Sequence, residues 1–223
     1  MNVTDCQVYD ISNVISYGAL TGSFVTNCQV GNITGSSPNG IYSSGGFVKN
    51  CQVRGISGGM SLAQTTGIYA QQVEDCQVQC ITAAGNITGI RADHVAQCEI
   101  SSLSGNSTGI SAYYVSKCRV SYLDDGSSAT GILCLYSVSI QDCVINNIGT
   151  SAGVGIAVDS FGATIARNKV AATGGAGISL TYSGCSVTGN HVTNADNSSV
   201  SQPPSAPIPT PMLPSDEPAL PFQ

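Results

Sequence analysis

The sequence predicts an all-β solenoid, one unit in which a degenerate pattern recurs about nine times. Three observations predict it: a cysteine-centred repeat, a Gly-apolar marker between its copies, and a composition suited to strands and turns. Aligning the cysteines reveals the repeat. It runs Val3-x-x-Cys6-x-Val8-x-x-Ile11, then Val25, Cys28, Val30, Ile33, then Val48, Cys51, Val53, Ile56. Further copies centre on Cys76, Cys98, Cys118 and Cys143, and two more put Asn168 and Asn190 at the centre. A Val or Ile three residues before the centre and another two residues after it never fail. The second marker reads Gly18-Ala19, Gly40-Ile41, Gly67-Ile68, Gly89-Ile90, Gly109-Ile110, Gly131-Ile132, Gly155-Ile156 and Gly177-Ile178. Shortly after it comes a small or apolar column: Ala70, Ala92, Ala112, Cys134, Val158, Leu180.

Each copy is a set of short β-branched segments broken by Gly, Ser and Asn turns, and no copy can bury its apolar side alone. Stacking copies in register buries continuous columns and pairs each backbone with its neighbours. With rungs about 4.8 Å apart, nine coils make a rod of roughly 40 Å. A leucine-rich repeat would need alternate apolar residues ahead of the cysteine and a Leu-rich segment after it. A hexapeptide solenoid would need a strict six-residue rhythm, which this spacing breaks. The expected fold is therefore a right-handed parallel β-helix, spanning residues 1–200.

Composition agrees. Of 223 residues, 42% are hydrophobic and only 9% charged, against about 25% charged in ordinary soluble domains. The surface must then be Ser, Thr, Asn, Gln and Gly. A formal charge of −6 with seven scattered basic residues gives no phosphate-tracking stripe, so nucleic acid is not an expected partner. No apolar run reaches the length of a membrane span. No signal peptide precedes the first repeat, so an extracellular or cell-surface location is expected only if the chain is part of a longer exported protein.

The pattern Val/Ile-x-x-Asn-x-Val/Ile, a turn, then Gly-Ile resembles the repeat of pectin-lyase-like β-helix proteins. Ile165 to Val170 and Val187 to Val192 match it most directly, and seven other copies carry Cys where that family stacks Asn. The resemblance covers residues 1 to about 198. It implies the fold, and it implies a family that spans polysaccharide lyases and hydrolases, adhesins and non-catalytic surface proteins.

Seven of the ten cysteines belong to the ladder, Cys134 to the second interior column, and Cys80 and Cys185 to neither. Stacked side chains in one rotamer point the same way, so free buried thiols with raised pKa values are expected rather than disulfides. Free thiols suit a reducing or oxygen-poor setting. Without a Cys-x-x-Cys pair, and with His94 and His191 far apart, no metal or other cofactor is expected.

If the ladder cysteine points inward, the residues on either side of it face out. One outward column begins Gln7, Gln29, Gln52, Gln77, Glu99, and the other Asp5, Asn27, Asn50, Asp75, Gln97. Such amides either hold sugar hydroxyls or bond one another up the ladder. Gln29, Gln52, Gln77 and Glu99, with Tyr113, Tyr114 and Tyr136, are the candidate ligand-binding residues. Asp75 and Glu99 on adjacent rungs are the candidate catalytic pair, since glycoside cleavage uses two carboxylates about 5 to 10 Å apart. Two functions follow: a non-catalytic surface or extracellular rod, structural or binding, whose partner would be a polysaccharide or cell-surface glycan; or a polysaccharide lyase or glycoside hydrolase. Residues 201–223 hold eight of the nine prolines and read as a disordered tail or linker. An uncapped first rung also favours end-to-end or homo-oligomeric association.

Overall fold

A computed structural model describes residues 1–15, 18–59, 64–124, 129–135, 138–149, 152–195 and 200–201. The proline-rich segment 202–223 lies outside them, as does Tyr136. Within them the chain winds as a parallel β-helix. Every strand pairing is parallel and joins residues one coil apart, as in Val73 to Val95 to Val115 to Ile140.

Each coil has three walls. The first is a three-residue strand around the leading Val, such as His94–Ala96 or Tyr114–Ser116. The second follows the ladder residue, as in Arg119–Asp124. The third carries the Gly-Ile marker, as in Thr130–Cys134. In two middle coils the second and third walls run together as Gln77–Arg91 and Glu99–Ser111. The inward residues of all three walls form the core: Val48, Val78, Ile90 and their counterparts above and below are fully buried.

Two corners per coil are turned by residues in the left-handed region. The residue before the ladder position is left-handed in every copy: Asp5, Asn27, Asn50, Asp75, Gln97, Lys117, Asp142, Arg167 and Gly189, with φ between 50° and 62°. The fourth residue after it is left-handed in every copy too, from Asp10, Asn32 and Gly55 to Asn147, Ala172 and Asn194. This conformation costs an ordinary residue roughly 1–2 kcal/mol, and Asn, Asp and Gly tolerate it best. The amide-rich column ahead of the cysteine is therefore a corner, and its composition follows from backbone geometry. Cys80, which the repeat leaves unexplained, occupies the second corner and is exposed.

The ladder itself is a hydrogen-bonded column. The Cys51 N–H donates to Cys76 Sγ at 3.4 Å, and the Cys76 thiol donates to its own Glu74 carbonyl at 3.1 Å. Where the ladder changes to Asn the same geometry recurs with stronger groups. The Cys143 N–H donates to Asn168 Oδ1 at 2.9 Å, and Asn168 Nδ2 donates to the Ile140 carbonyl at 3.0 Å. Cysteine thus fills the asparagine role with a smaller, weaker acceptor.

The glycine marker reflects a close approach. A Cβ on Gly109 would lie 2.5 Å from both the Gly131 carbonyl oxygen and a Val120 methyl, and Gly67, Gly89 and Gly131 are equally confined. The first copy departs from the sequence alignment: Gly18 pairs with Asn39 and Leu20 with Ile41, so Ala19, not Gly18, stands at the level of Gly40. Register follows burial of the aliphatic partner, which here is Leu20 rather than Ala19.

Two predictions follow. Gly109→Ala should destabilise the chain by about 1–3 kcal/mol through overpacking, whereas Gly162→Asn, at φ 68° with open space around it, should change it little; urea midpoints compare them. Cys76→Asn should hold stability within about 1 kcal/mol of the parent. Cys76→Ala, which orphans the buried Cys51 N–H, should cost about 1–3 kcal/mol.

Candidate functional site

The outward columns expected from the sequence are in place, and the corner column is largely consumed by itself. Asn27 Nδ2 donates to Asp5 Oδ1 at 3.0 Å, and Asn50 Nδ2 to Asn27 Oδ1 at 2.9 Å. Further along, Arg167 grips Asp142 through two hydrogen bonds of 2.8 and 2.9 Å and also reaches Gln141. That pairing lowers the Asp142 carboxyl below its usual value. On the second wall Gln29, Gln52, Gln77, Glu99 and Arg119 stack in register. Gln52 donates to Gln77 at 3.2 Å, and Gln29 Oε1 accepts from the Tyr9 hydroxyl at 2.8 Å. A shallow concavity of about 320 Å³ lies over Gln29, Gln52, Asp75 and Gln77.

Asp75 and Glu99 occupy different columns. Asp75 is a left-handed corner residue, while Glu99 heads the next wall. The Lys49 ammonium lies 3.0 Å from Glu74 and 3.6 Å from Asp75, and Glu74 holds the lysine protonated above its ordinary range. The Asp75 carboxylate is thus engaged by a cation from the preceding coil.

The tyrosines divide between two walls. Tyr42 and Tyr69 stack on the third wall, ring centroids 5.0 Å apart and 9° from parallel. Tyr113 and Tyr114 straddle the corner between the third wall and the first. Tyr113 borders a concavity of about 300 Å³ with Tyr69, Arg91 and Asp93. Tyr114 faces the other way, into a groove of about 390 Å³ on the first wall.

At about 390 Å³ that groove is roomier than the two concavities above, of about 320 and 300 Å³. Along one side runs the column Phe47, Gln72, His94, Tyr114, Ser139, each in register with the next. The His94 and Tyr114 rings stack face to face, 4.6 Å between centroids and 8° from parallel. Small residues, Ala96 and Ser116, line its middle, and Glu74 and Gln141 line the other side. Phe24, 55% exposed, continues the column beyond Phe47. Sequence reasoning missed Phe47, Gln72 and His94. Their signal was available, because all sit one residue before the leading Val of the repeat, but the cysteine drew attention to the far end of that segment.

The thiols are free and, along the ladder from Cys28 to Cys143, buried. The hydrogen bond with Cys51, followed by burial, pushes the Cys76 thiol up to about 12. Burial pushes Cys134 up to about 12. Among the described residues, no group of three or more His, Cys, Asp or Glu side chains is placed to hold a metal ion. His94 and His191 stand in different columns, His94 over Gln72 and under Tyr114, His191 beside Lys169.

Walls, corners and ladder define the class: a right-handed parallel β-helix repeat protein with shallow axial grooves on its walls. A family model described as periplasmic copper-binding protein (NosD) matches residues 37–203, well over half of the chain, and the protein belongs to that family. No curated protein matches the chain. No helix among the described residues is long and apolar enough to cross a membrane.

Two measurements test the thiols. A disulfide-exchange reagent at pH 8 should react fast with Cys80 and slowly with half-buried Cys6 and Cys185. The remaining cysteines should stay silent until denaturant is added; fast reaction of Cys76 or Cys98 in the native protein would contradict their burial. Stability should also depend on alkali. Cys134 has a folded value near 12, above the unfolded 9.0, so its contribution is complete below about pH 9 and is lost as pH rises toward 12. The denaturant midpoint should therefore fall between pH 8 and pH 10.5, and fall less in Cys134→Val.

Proposed function

We propose that this protein is a non-catalytic binding rod whose ligand is an extended polysaccharide lying along the first-wall groove, parallel to the rod axis. The observation that carries this reading is the face-to-face pair His94 and Tyr114, exposed at the edge of the first-wall groove of about 390 Å³. Each ring spends one face on the other and leaves its edge and outer face for the apolar side of a sugar ring, and groove amides and hydroxyls such as Gln72, Ser116 and Gln141 offer hydrogen bonds. The column repeats at the strand spacing of about 4.8 Å, so consecutive sugars would meet consecutive coils. Gln29, Gln52, Gln77 and Glu99 lie on the adjoining wall and, in this reading, take ring hydroxyls only at its margin. The extracytoplasmic location follows the family's description, which speaks of the periplasm.

Copper, which the same description names, does not fit the donor set. Soft thiolates are the ligands that suit Cu(I), and a metal needs them deprotonated. Here the ladder thiols from Cys28 to Cys143 are buried, Cys76 and Cys98 donate to backbone carbonyls, and Cys76 and the second-column Cys134 are pushed up to about 12, while the hydrogen bond with Cys76 lowers Cys51. Bringing a cation among them would bury charge in an apolar core. The histidines offer imidazoles one at a time.

The test is affinity electrophoresis and calorimetry against neutral and charged oligosaccharides. Tyr114→Ala and His94→Ala should each weaken binding of the recognised glycan about tenfold, about 1.4 kcal/mol. Asp75→Asn and Glu99→Gln should leave it within about twofold. Unaltered affinity in both aromatic variants would remove the groove from the reading. Turnover of a polymer, lost in Asp75→Asn or Glu99→Gln, would replace the reading with that of a lyase or hydrolase.

A further inference from the structure

The third wall carries a second trough, chemically unlike the first. About 340 Å³ in volume, it is lined by Gln64, Asn86, Thr88, Arg91, Asn106 and Thr108 over an apolar floor. Two ladders make its sides. Gln64, Asn86 and Asn106 stack in register as an amide column, with Asn106 Nδ2 donating to Asn86 Oδ1 at 2.6 Å. Thr66, Thr88, Thr108 and Thr130 stack beside them as a hydroxyl column.

Charge separates this trough from the other concavities. The first-wall groove contains Glu74, the Tyr113 concavity Asp93 and the amide strip Asp75. The trough has a cation and no carboxylate. Lys49 and Arg167 are spent on ion pairs with acidic neighbours. Arg91, though it also borders the Asp93 concavity, has no ion pair among the described residues. Its guanidinium sits 5.8 Å from the centroid of the Tyr69 ring and donates to Gln64 Oε1 at 3.4 Å. Gln64 in turn donates to Thr88 Oγ1 at 3.3 Å. The guanidinium is thus steadied by a ring and one weak hydrogen bond, leaving most of its five donors available.

We propose that this trough is a binding site for an acidic oligosaccharide, in which Arg91 takes a carboxylate or sulfate group and the threonine and amide ladders take ring hydroxyls. A guanidinium binds either anion in a paired, planar geometry, which an amide cannot reproduce. The net charge of −6 repels an anion at long range, so selectivity comes from this local cation. The site lies on a different wall from the aromatic groove and stands or falls separately from it.

The experiment uses the full chain and three hexasaccharides in calorimetry at low salt: an alginate-derived one bearing carboxylates, a heparin-derived one bearing sulfates, and neutral maltohexaose. At least one acidic hexamer should bind, more tightly than maltohexaose, and its affinity should fall as salt rises. The preferred hexamer tells carboxylate from sulfate. Arg91→Gln should weaken it at least tenfold, Thr108→Val several-fold, and the charge-matched Arg54→Gln, exposed and outside the trough, less than twofold. Arg91 is exposed and Thr108 half-buried, and unchanged urea midpoints would confirm that both variants fold. The proposal is overturned if neither acidic hexamer binds, if Arg91→Gln leaves affinity within twofold, or if Arg54→Gln weakens binding as much as Arg91→Gln.

Discussion

Everything in this structure depends on the exact return of the chain onto itself: each coil must present the same side chain at the same corner as the one below. The ladder position enforces that return. Its side chain accepts the backbone N–H of the preceding ladder residue, as Asn168 does for Cys143 and Cys76 for Cys51. At the rungs of Cys28, Cys51, Cys143 and Asn168 the turn therefore leaves no ladder N–H orphaned, and the next coil solves the problem for the one before it. A slip of one residue would turn the columns of Val, Ile and Cys outward. Two left-handed corners per coil make the return geometrically possible, and the core that they allow to close offsets their strain.

The exchange of Cys for Asn along one ladder shows what the position requires: a short side chain with an acceptor at its tip. The amide adds a second bond, from Asn190 Nδ2 to the Ile165 carbonyl at 2.7 Å, that the thiol makes only weakly, at 3.7 Å from Cys76 to Val48. The thiol in return behaves as a small hydrophobe in the core. Free cysteines at this density would be a liability on a surface. Inside the rod they pack as small side chains: a neighbouring thiol and burial raise Cys76, burial raises Cys134, and the hydrogen bond with Cys76 lowers Cys51, so their abundance speaks first of packing.

The same repetition shapes the surface. Where like stacks on like with Asn, Asp or Gln, as at Asn27 and Asn50, side chains bond along the ladder and present little unmet capacity. Unmet polar and aromatic groups gather where columns mix residue types. The first-wall column changes from Phe47 through Gln72 to His94 and Tyr114, and the third-wall column from Tyr69 to Arg91. Membership in the NosD family fixes the scaffold, while the chemistry of the grooves is set by these non-repeating columns, which can vary without disturbing the core.

The sequence by itself determined the repeat, the inward columns and the free, stacked cysteines, because in-register stacking turns every structural demand into a periodicity along the chain. It also held the amides of the strip but not their reason, since left-handed geometry has no single residue signature: Lys117 and Arg167 occupy the same corner as Asn27. Asp75 and Glu99 were legible as neighbours in coil number, yet only the structure decided that one is a corner and the other a wall. Tyr113 and Tyr114 are adjacent in the chain and were read together; the corner between them sends one into each of two grooves. Tertiary structure alone decided this, because which residues share a concavity depends on where each coil bends, and the bend is set by contacts with the coils above and below.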